Sequence, residues 1–267
     1  MPELPDVEGF RRVLRSNGRG RRIEKVEVRD SGVLRGVSAR RLRRALEGHR
    51  FLEPERRGKW LVARTDGGAA VLLHFGMTGE LVACPPGEPP HRHDRVRFDL
   101  SGGRGVRFRD QRKLQGLRLA ASDAGVERAL GGQGPDAAAV GEGTLRELLR
   151  RRRATAKSVL MDQSALAGLG NLLVDEILWR AHLHPSRPAN SLTRGECRRI
   201  HTAMTRVLDQ SVRAGRVPGR PTWLTGHRGQ TPPTCPRGHA RLHRDRIAGR
   251  TTFWCPRCQP PPEPADG

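Results

Sequence analysis

Tyrosine is absent from this chain, and aromatic residues make up only 4% of it. Cores here must rest on Leu, Val and Ala. The 35% hydrophobic content of 267 residues suffices for one large core or two to three smaller ones. No run approaches the ~18 apolar residues of a membrane-spanning helix. The opening MPELPDVEGF puts acids where a secretory leader needs a basic region and an apolar stretch. A cytoplasmic protein with no membrane partner is expected. Acids are scarce overall, 28 Asp and Glu against 50 Lys and Arg, for a formal charge of +22. Lysine is scarcer still: it occurs only at 25, 59, 113 and 157, leaving 46 arginines. A surface this basic calls for a polyanion, with nucleic acid the default. Among so many arginines a lysine draws notice, because its compact ammonium can lose its proton. Cysteine is rare and uneven, at 84, 197, 235, 255 and 258, which suits a metal site rather than a disulfide framework.

Leu4, Val7, Phe10 and Leu14 recur at helical spacing around the acids Asp6 and Glu8, which predicts a helix over 2–16. Glycines cut residues 22–119 into short runs such as Val26–Val28, Trp60–Val62 and Ala70–Leu73. Alternation in Val96, Phe98 and Leu100, then Val106 and Phe108, predicts a hairpin around Ser101–Gly105. This region reads as a β-sandwich or barrel. Gly, Ala and Asp dominate 120–143, as in a hinge. Helices are expected around Leu145/Leu148/Leu149, Val159/Leu160 and Leu172/Leu173/Ile177/Leu178. Thr193 and Glu196 form a capping box for another from about Arg194. Beyond Trp223 the chain is turn-rich, and the final QPPPEPADG is too polar and proline-rich to pack.

Cys235-Pro-Arg-Gly-His239 and Cys255-Pro-Arg-Cys258 bracket LHRDRIAGRTTFW, which reads as a hairpin. Two knuckles joined by a hairpin make a zinc ribbon, in which thiolates and imidazole complete a tetrahedron around one Zn2+. The usual second cysteine of the first knuckle would stand at Gly238. His239, one residue on, has the longer reach to replace it, and His243 competes. Without a carboxylate ligand the metal is structural.

On their own, Pro2 and Glu3 are an ordinary helix start, Lys59 is a turn charge, and Asn171 caps a helix after a glycine turn. They gain weight as parts of a series. MPELPDVE, RRGKWLV, HFGMTGEL, RHDRVRF, RFRDQRKL, KSVLMDQSALAGLGNLLVDEIL and GRTTFWCPRCQ, in that order, closely resemble the formamidopyrimidine-DNA glycosylase/endonuclease VIII family over residues 1 to about 259. The resemblance implies an α+β fold: an N-terminal helix with a β-sandwich over 1–120 and a hinge over 121–142. A helix-two-turn-helix domain over 143–222, a zinc ribbon hairpin over 223–259 and a disordered tail over 260–267 would follow. It implies a base-excision repair enzyme, a bifunctional DNA glycosylase/AP lyase that flips out a damaged base, cleaves its N-glycosidic bond and nicks the strand by β,δ-elimination.

In that family pattern Pro2, freed of Met1, attacks the sugar C1′ through its secondary amine and forms a Schiff base. An α-amine titrates about two to three units below a lysine, so more of it is nucleophilic at neutral pH. Glu3 protonates the ring oxygen and shuttles protons. Lys59 serves β-elimination, and Arg250 grips the lesion phosphates and serves δ-elimination. Leu169-Gly170-Asn171 forms the turn of the helix-two-turn-helix, where Asn171 and helix-start amides bind phosphate. Arg153 and Lys157 on the preceding helix, with His74, His93 and Lys113, complete the DNA contacts. Met77, Arg112 and Leu114 fill the void left by the flipped base.

Leu114 stands where Phe is common, Gln115 where Gly is usual and Gln111 where Pro is frequent. SVRAGRVPGRPTWLTGHRGQ is too short for a lesion-capping loop. These departures leave open the preferred lesion and opposite base, with formamidopyrimidines, oxidised pyrimidines, further-oxidised guanine and abasic sites as candidates. The expected partner is double-stranded DNA with damaged bases or abasic sites, crossing a cleft between the halves of a monomer that is nucleoid-associated when bound. A non-catalytic damaged-DNA-binding relative is the alternative.

Overall fold

The first helix is closed at its start by its own acid: the Glu3 backbone N–H donates to Asp6 Oδ2 at 2.8 Å. Helix α1 then runs Leu4–Gly18, with Pro5 in the first turn, where a missing N–H is harmless. The helix therefore begins two residues later than the apolar spacing suggested, because Glu3 is its cap and Pro2 precedes it. The computed structural model describes residues 2–85 and 87–261; Met1 and the expected disordered tail from 262 onward lie outside the described residues. Two compact units meet at Gly132 and Gln133.

In the first unit, α1 is followed by β1 (Ile23–Val28), α2 (Ala39–Leu46), β2 (Glu55–Arg57), β3 (Trp60–Arg64), β4 (Ala70–His74) and β5 (Glu80–Cys84). Then come β6 (Asp94–Leu100), β7 (Arg104–Arg109), β8 (Leu117–Ala120) and α3 (Asp123–Leu130). The strands form two antiparallel four-stranded sheets, ordered β1-β6-β7-β5 and β2-β3-β4-β8. In β6, Val96, Phe98 and Leu100 are buried and the residues between them half-buried, the alternation of a one-sided core. They join Leu14, Ile23, Leu61, Val71, Leu73 and Phe108 in one cluster filled by both sheets. Strand β4 is apolar and buried from Ala70 to Leu73 because its sheet is covered twice. Its Ala70 and Leu72, with Val62 of β3, pack beneath Val126 and Leu130 of α3.

The second unit holds α4 (Glu142–Arg150), α5 (Ala156–Met161), α6 (Asn171–Arg180), α7 (Arg194–Ala214), α8 (Leu224–His227) and a hairpin of β9 (His243–Ile247) and β10 (Arg250–Trp254). Helix α6 is buried almost all round, from Leu173 to Trp179, and touches α5, α7, α8 and β10. Helix α7 starts at the Thr193–Glu196 capping box and stops at Gly215, whose φ of 67° is left-handed. Among the described residues no helix is long and apolar enough to cross a membrane.

Candidate nucleic-acid site

In the first unit the N-terminus and the Lys59 turn are drawn together by α1, which packs on β2 and β3. Glu8 meets Arg56 at 3.5 Å, three positions before Lys59, and Phe10 lies on Phe75, beside His74, with ring centroids 4.3 Å apart. Pro2 is half-buried, whereas Glu3 has no solvent exposure. Lys59 is the second residue of a two-residue turn, made possible by Gly58 at φ 56°. Across the sheet, Trp60 stands opposite His74 and their rings meet edge-on at 4.8 Å. Burial, then the Lys59 and Arg118 charges, lower the His74 pKa to about 4. Its Nδ1 accepts the Gly76 N–H at 3.1 Å, so the neutral ring carries its proton on Nε2. His74 thus offers a neutral N–H rather than a positive charge.

Met77 and Leu114 are 37% and 49% exposed, and with Leu52 they are the large hydrophobics left exposed among the described residues. Exposure is what an apolar wedge requires. Arg112 joins their two loops, its Nη1 3.0 Å from Met77 Sδ. Asp110, which sequence reasoning missed, positions this cluster: its Oδ1 accepts from Thr78 Oγ1 at 2.6 Å and from the Arg112 N–H at 3.1 Å. No sequence signal marks it beyond its place between Arg109 and Gln111. Gly116 lets the loop close, since a Cβ there would sit 1.9 Å from the Val33 carbonyl oxygen. Lys113 turns aside, with φ 52° and its Nζ 3.0 Å from Asp30 Oδ2. That bond holds the Asp30 pKa below its usual value. His93 is flanked by Arg92 at 3.1 Å and Arg95 at 3.2 Å. Desolvation and these cations lower its pKa.

In the second unit Asn171 opens α6 and its Nδ2 donates to the Thr251 carbonyl of β10 at 2.9 Å. Arg250 stands exposed one residue earlier, where a two-residue turn of Ala248 (φ 52°) and Gly249 (φ 69°) ends. Positive φ at both positions matches the right-handed twist of a hairpin. Two expectations are corrected. Lys157 is not a surface phosphate contact: it is fully buried, with Nζ 2.6 Å from both Asp175 Oδ1 and Thr252 Oγ1. Asp175 also binds Arg228 and accepts the Phe253 N–H at 3.3 Å, so Lys157 acts by fastening β10 to α5 and α6. Arg153 is exposed but lies in the loop before α5, because that helix starts only after the Thr155 cap.

The sulfur atoms of Cys235, Cys255 and Cys258 lie within 4.8 Å of one another, so this cluster could hold a metal. Cys235 and Cys258 are 3.7 Å apart, against about 3.8 Å for the edge of a tetrahedron with ~2.3 Å metal–sulfur bonds. His239 Nδ1 is 3.1 Å from Cys258 Sγ, whereas the His243 ring rests on Trp254 with centroids 4.7 Å apart. The three thiol groups suit a thiophilic ion, and His239 approaches one of them, Cys258.

Comparison with known proteins matches the same stretches of chain. The profile of the formamidopyrimidine-DNA glycosylase N-terminal domain matches residues 1–117, and that of the formamidopyrimidine-DNA glycosylase H2TH domain matches 132–219. A formamidopyrimidine-DNA glycosylase of Heliobacterium modesticaldum is 36% identical, covering 97% of this chain and 100% of the relative. One of Salinispora arenicola is 35% identical, covering 99% and 98%. Among solved structures, Lactococcus lactis formamidopyrimidine-DNA glycosylase, non-covalently bound to DNA containing an AP site, superimposes with a TM-score of 0.86 at 27% identity. Its complex with Fapy-dG DNA gives 0.88 at 27% identity, and each comparison covers 97% of this chain and 100% of the other.

Proposed function

The chain belongs to the formamidopyrimidine-DNA glycosylase family, and from that premise we propose that it is a bifunctional DNA glycosylase/AP lyase of base-excision repair. Its partner is double-stranded DNA carrying a damaged base or an abasic site, as in the Lactococcus lactis complexes. The observation that carries the proposal is the Pro2–Glu3 pair ahead of α1, in a chain that a family member matches over 97% of its length.

With Met1 removed, the Pro2 secondary amine attacks C1′ of the flipped nucleotide. The C1′–N bond breaks and the base leaves with a proton, so that Pro2 is bonded to C1′ of a still-closed ring; the iminium forms when the C1′–O4′ bond then breaks. Glu3 protonates the sugar ring oxygen and so opens the ring. Loss of a C2′ proton expels the 3′ phosphate, and a second elimination expels the 5′ phosphate. Lys59 serves the first step and Arg250 the second. Met77, Arg112 and Leu114 enter the vacated stack, and the exposure of both apolar members supports this role. His74, neutral and donating from Nε2, suits a phosphate oxygen, as do Asn171, Arg153 and His93; Lys113 reaches DNA only by sharing its ammonium with Asp30. Cys235, His239, Cys255 and Cys258 would hold one structural Zn2+, which supplies rigidity to the ribbon and no chemistry.

Borohydride reduction on a duplex panel of 8-oxoguanine, formamidopyrimidine, thymine glycol, spiroiminodihydantoin and an abasic site tests this. A covalent adduct on a damaged base is expected, absent in Pro2→Gly. Strand cleavage that survives in both Pro2→Gly and Glu3→Gln would overturn the assignment. Duplex binding with no adduct at any site would leave a binding protein.

A further inference from the structure

The second unit carries a cavity that none of these steps uses. It has a volume of about 420 Å³ and is lined by Arg180 of α6, Arg198, Arg199 and Arg206 of α7, and Arg237 of the first knuckle, around Thr202 and Ala203. Five guanidinium groups share this concavity, and its lining contains no carboxylate. In a chain with 46 arginines a basic surface is ordinary, but this cavity is built.

Arg180 is held by Glu176, which is fully buried, at 2.7 Å. The other Glu176 oxygen accepts the Thr225 N–H at 3.3 Å. The Arg180 guanidinium also lies over the Trp223 ring at 4.8 Å, and Arg237 over Trp179 at 4.3 Å. Both indoles are almost fully buried, so the cations rest on a fixed aromatic floor. Arg199 donates to the Ala181 carbonyl at 3.0 Å. Three of the five arginines are therefore oriented in advance, and little freedom is lost when they bind. Arg180 stands nine residues along α6 from Asn171, about 13 Å down the helix axis, so this site lies at the far end of α6 from the proposed DNA contact.

We infer that this cavity is a second anion site, specific for closely spaced phosphate groups. Planar guanidinium forks match phosphate oxygens two at a time, and the volume lies within the range of small-ligand sites. Two sources share this chemistry: the backbone of a second nucleic-acid segment, and a free polyphosphate. The inference is independent of the glycosylase assignment and survives a failed trapping experiment.

Tripolyphosphate titrated into the full chain at constant ionic strength is the probe. One equivalent binds; in the double variant Arg198→Ala/Arg206→Ala its affinity falls at least tenfold. A control, Arg150→Ala/Arg151→Ala at the C-terminal end of α4, changes it less than twofold, and excision from a short lesion duplex stays within twofold in both. Both target side chains are exposed on α7, so thermal unfolding is expected to be unchanged. Capture of a labelled second duplex by the wild-type lesion complex, lost in the double variant, assigns the site to nucleic acid. Tripolyphosphate binding without such capture assigns it to free polyphosphate. No saturable binding by the wild type, or equal losses in the target and control variants, overturns the inference.

Discussion

His74 shows how one residue turns position into chemistry. It closes β4 opposite Trp60, beside the Lys59 turn, and each of those facts keeps its ring neutral. Burial first, then Lys59 and Arg118, lower its pKa from 6.5 to about 4. Between these values the unfolded chain binds a proton that the native state refuses, so stability rises with pH through that window. Wild type should lose about 2 kcal/mol from this group between pH 7 and pH 5. His74→Gln removes that component, and urea unfolding of both proteins at the two pH values measures it. An equal pH dependence in the two proteins would show that the ring is not held neutral. The sequence marks His74 as a candidate but says nothing of its charge, which is set by neighbours across a sheet. Lys157 is the harder case. An ammonium is a surface group by default, since burying it alone costs several kcal/mol. What overrides the default is Asp175, 18 residues on, and Thr252, 95 residues on. No local pattern joins those three positions.

Elements were legible where one face or one turn explains them. The β6–β7 hairpin follows from strict alternation, α7 from its capping box, and the β9–β10 hairpin from the two knuckles around it. Helices α2 and α3 were missed, although each carries its signal: Ser38 caps Leu42 and Leu46, and Ser122 caps Val126 and Leu130. Four arginines among the eight residues of α2, and a Gly-rich setting for α3, hid two short i,i+4 pairs that only the sheet beneath makes worth burying. The ribbon favours one side of a choice that spacing left open. His239 reaches Cys258, while His243 heads β9 against Trp254. His239→Ala should therefore lower zinc content well below one ion per chain and loosen the hairpin carrying Arg250. His243→Ala should retain the ion. Metal analysis of the two purified variants decides it, and the reverse result would move the fourth ligand to His243.

At the scale of the whole molecule, the proposed mechanism has charge govern encounter and a single amine govern chemistry, and the two then separate on a pH axis. The net charge of +22 is carried almost entirely by arginine, whose guanidinium stays protonated far above neutral pH. His74 and His93, the histidines assigned to phosphate contacts, both have lowered pKa values, so desolvation and neighbouring cations disfavour their charged forms. Duplex affinity at fixed ionic strength should then vary less than about twofold between pH 6.5 and 9. Salt, by contrast, should act strongly: with about five phosphates neutralised, affinity falls on the order of several hundredfold between 50 and 200 mM. The rate of adduct formation should instead rise across that same pH range, following deprotonation of the Pro2 amine near pH 8. Fluorescence anisotropy for binding and single-turnover borohydride trapping for chemistry, on one abasic duplex, measure both curves. If affinity tightened steeply below pH 7, protonated histidines would carry the grip. If the trapping rate stayed flat with pH while affinity did too, the nucleophile would be a group other than an α-amine.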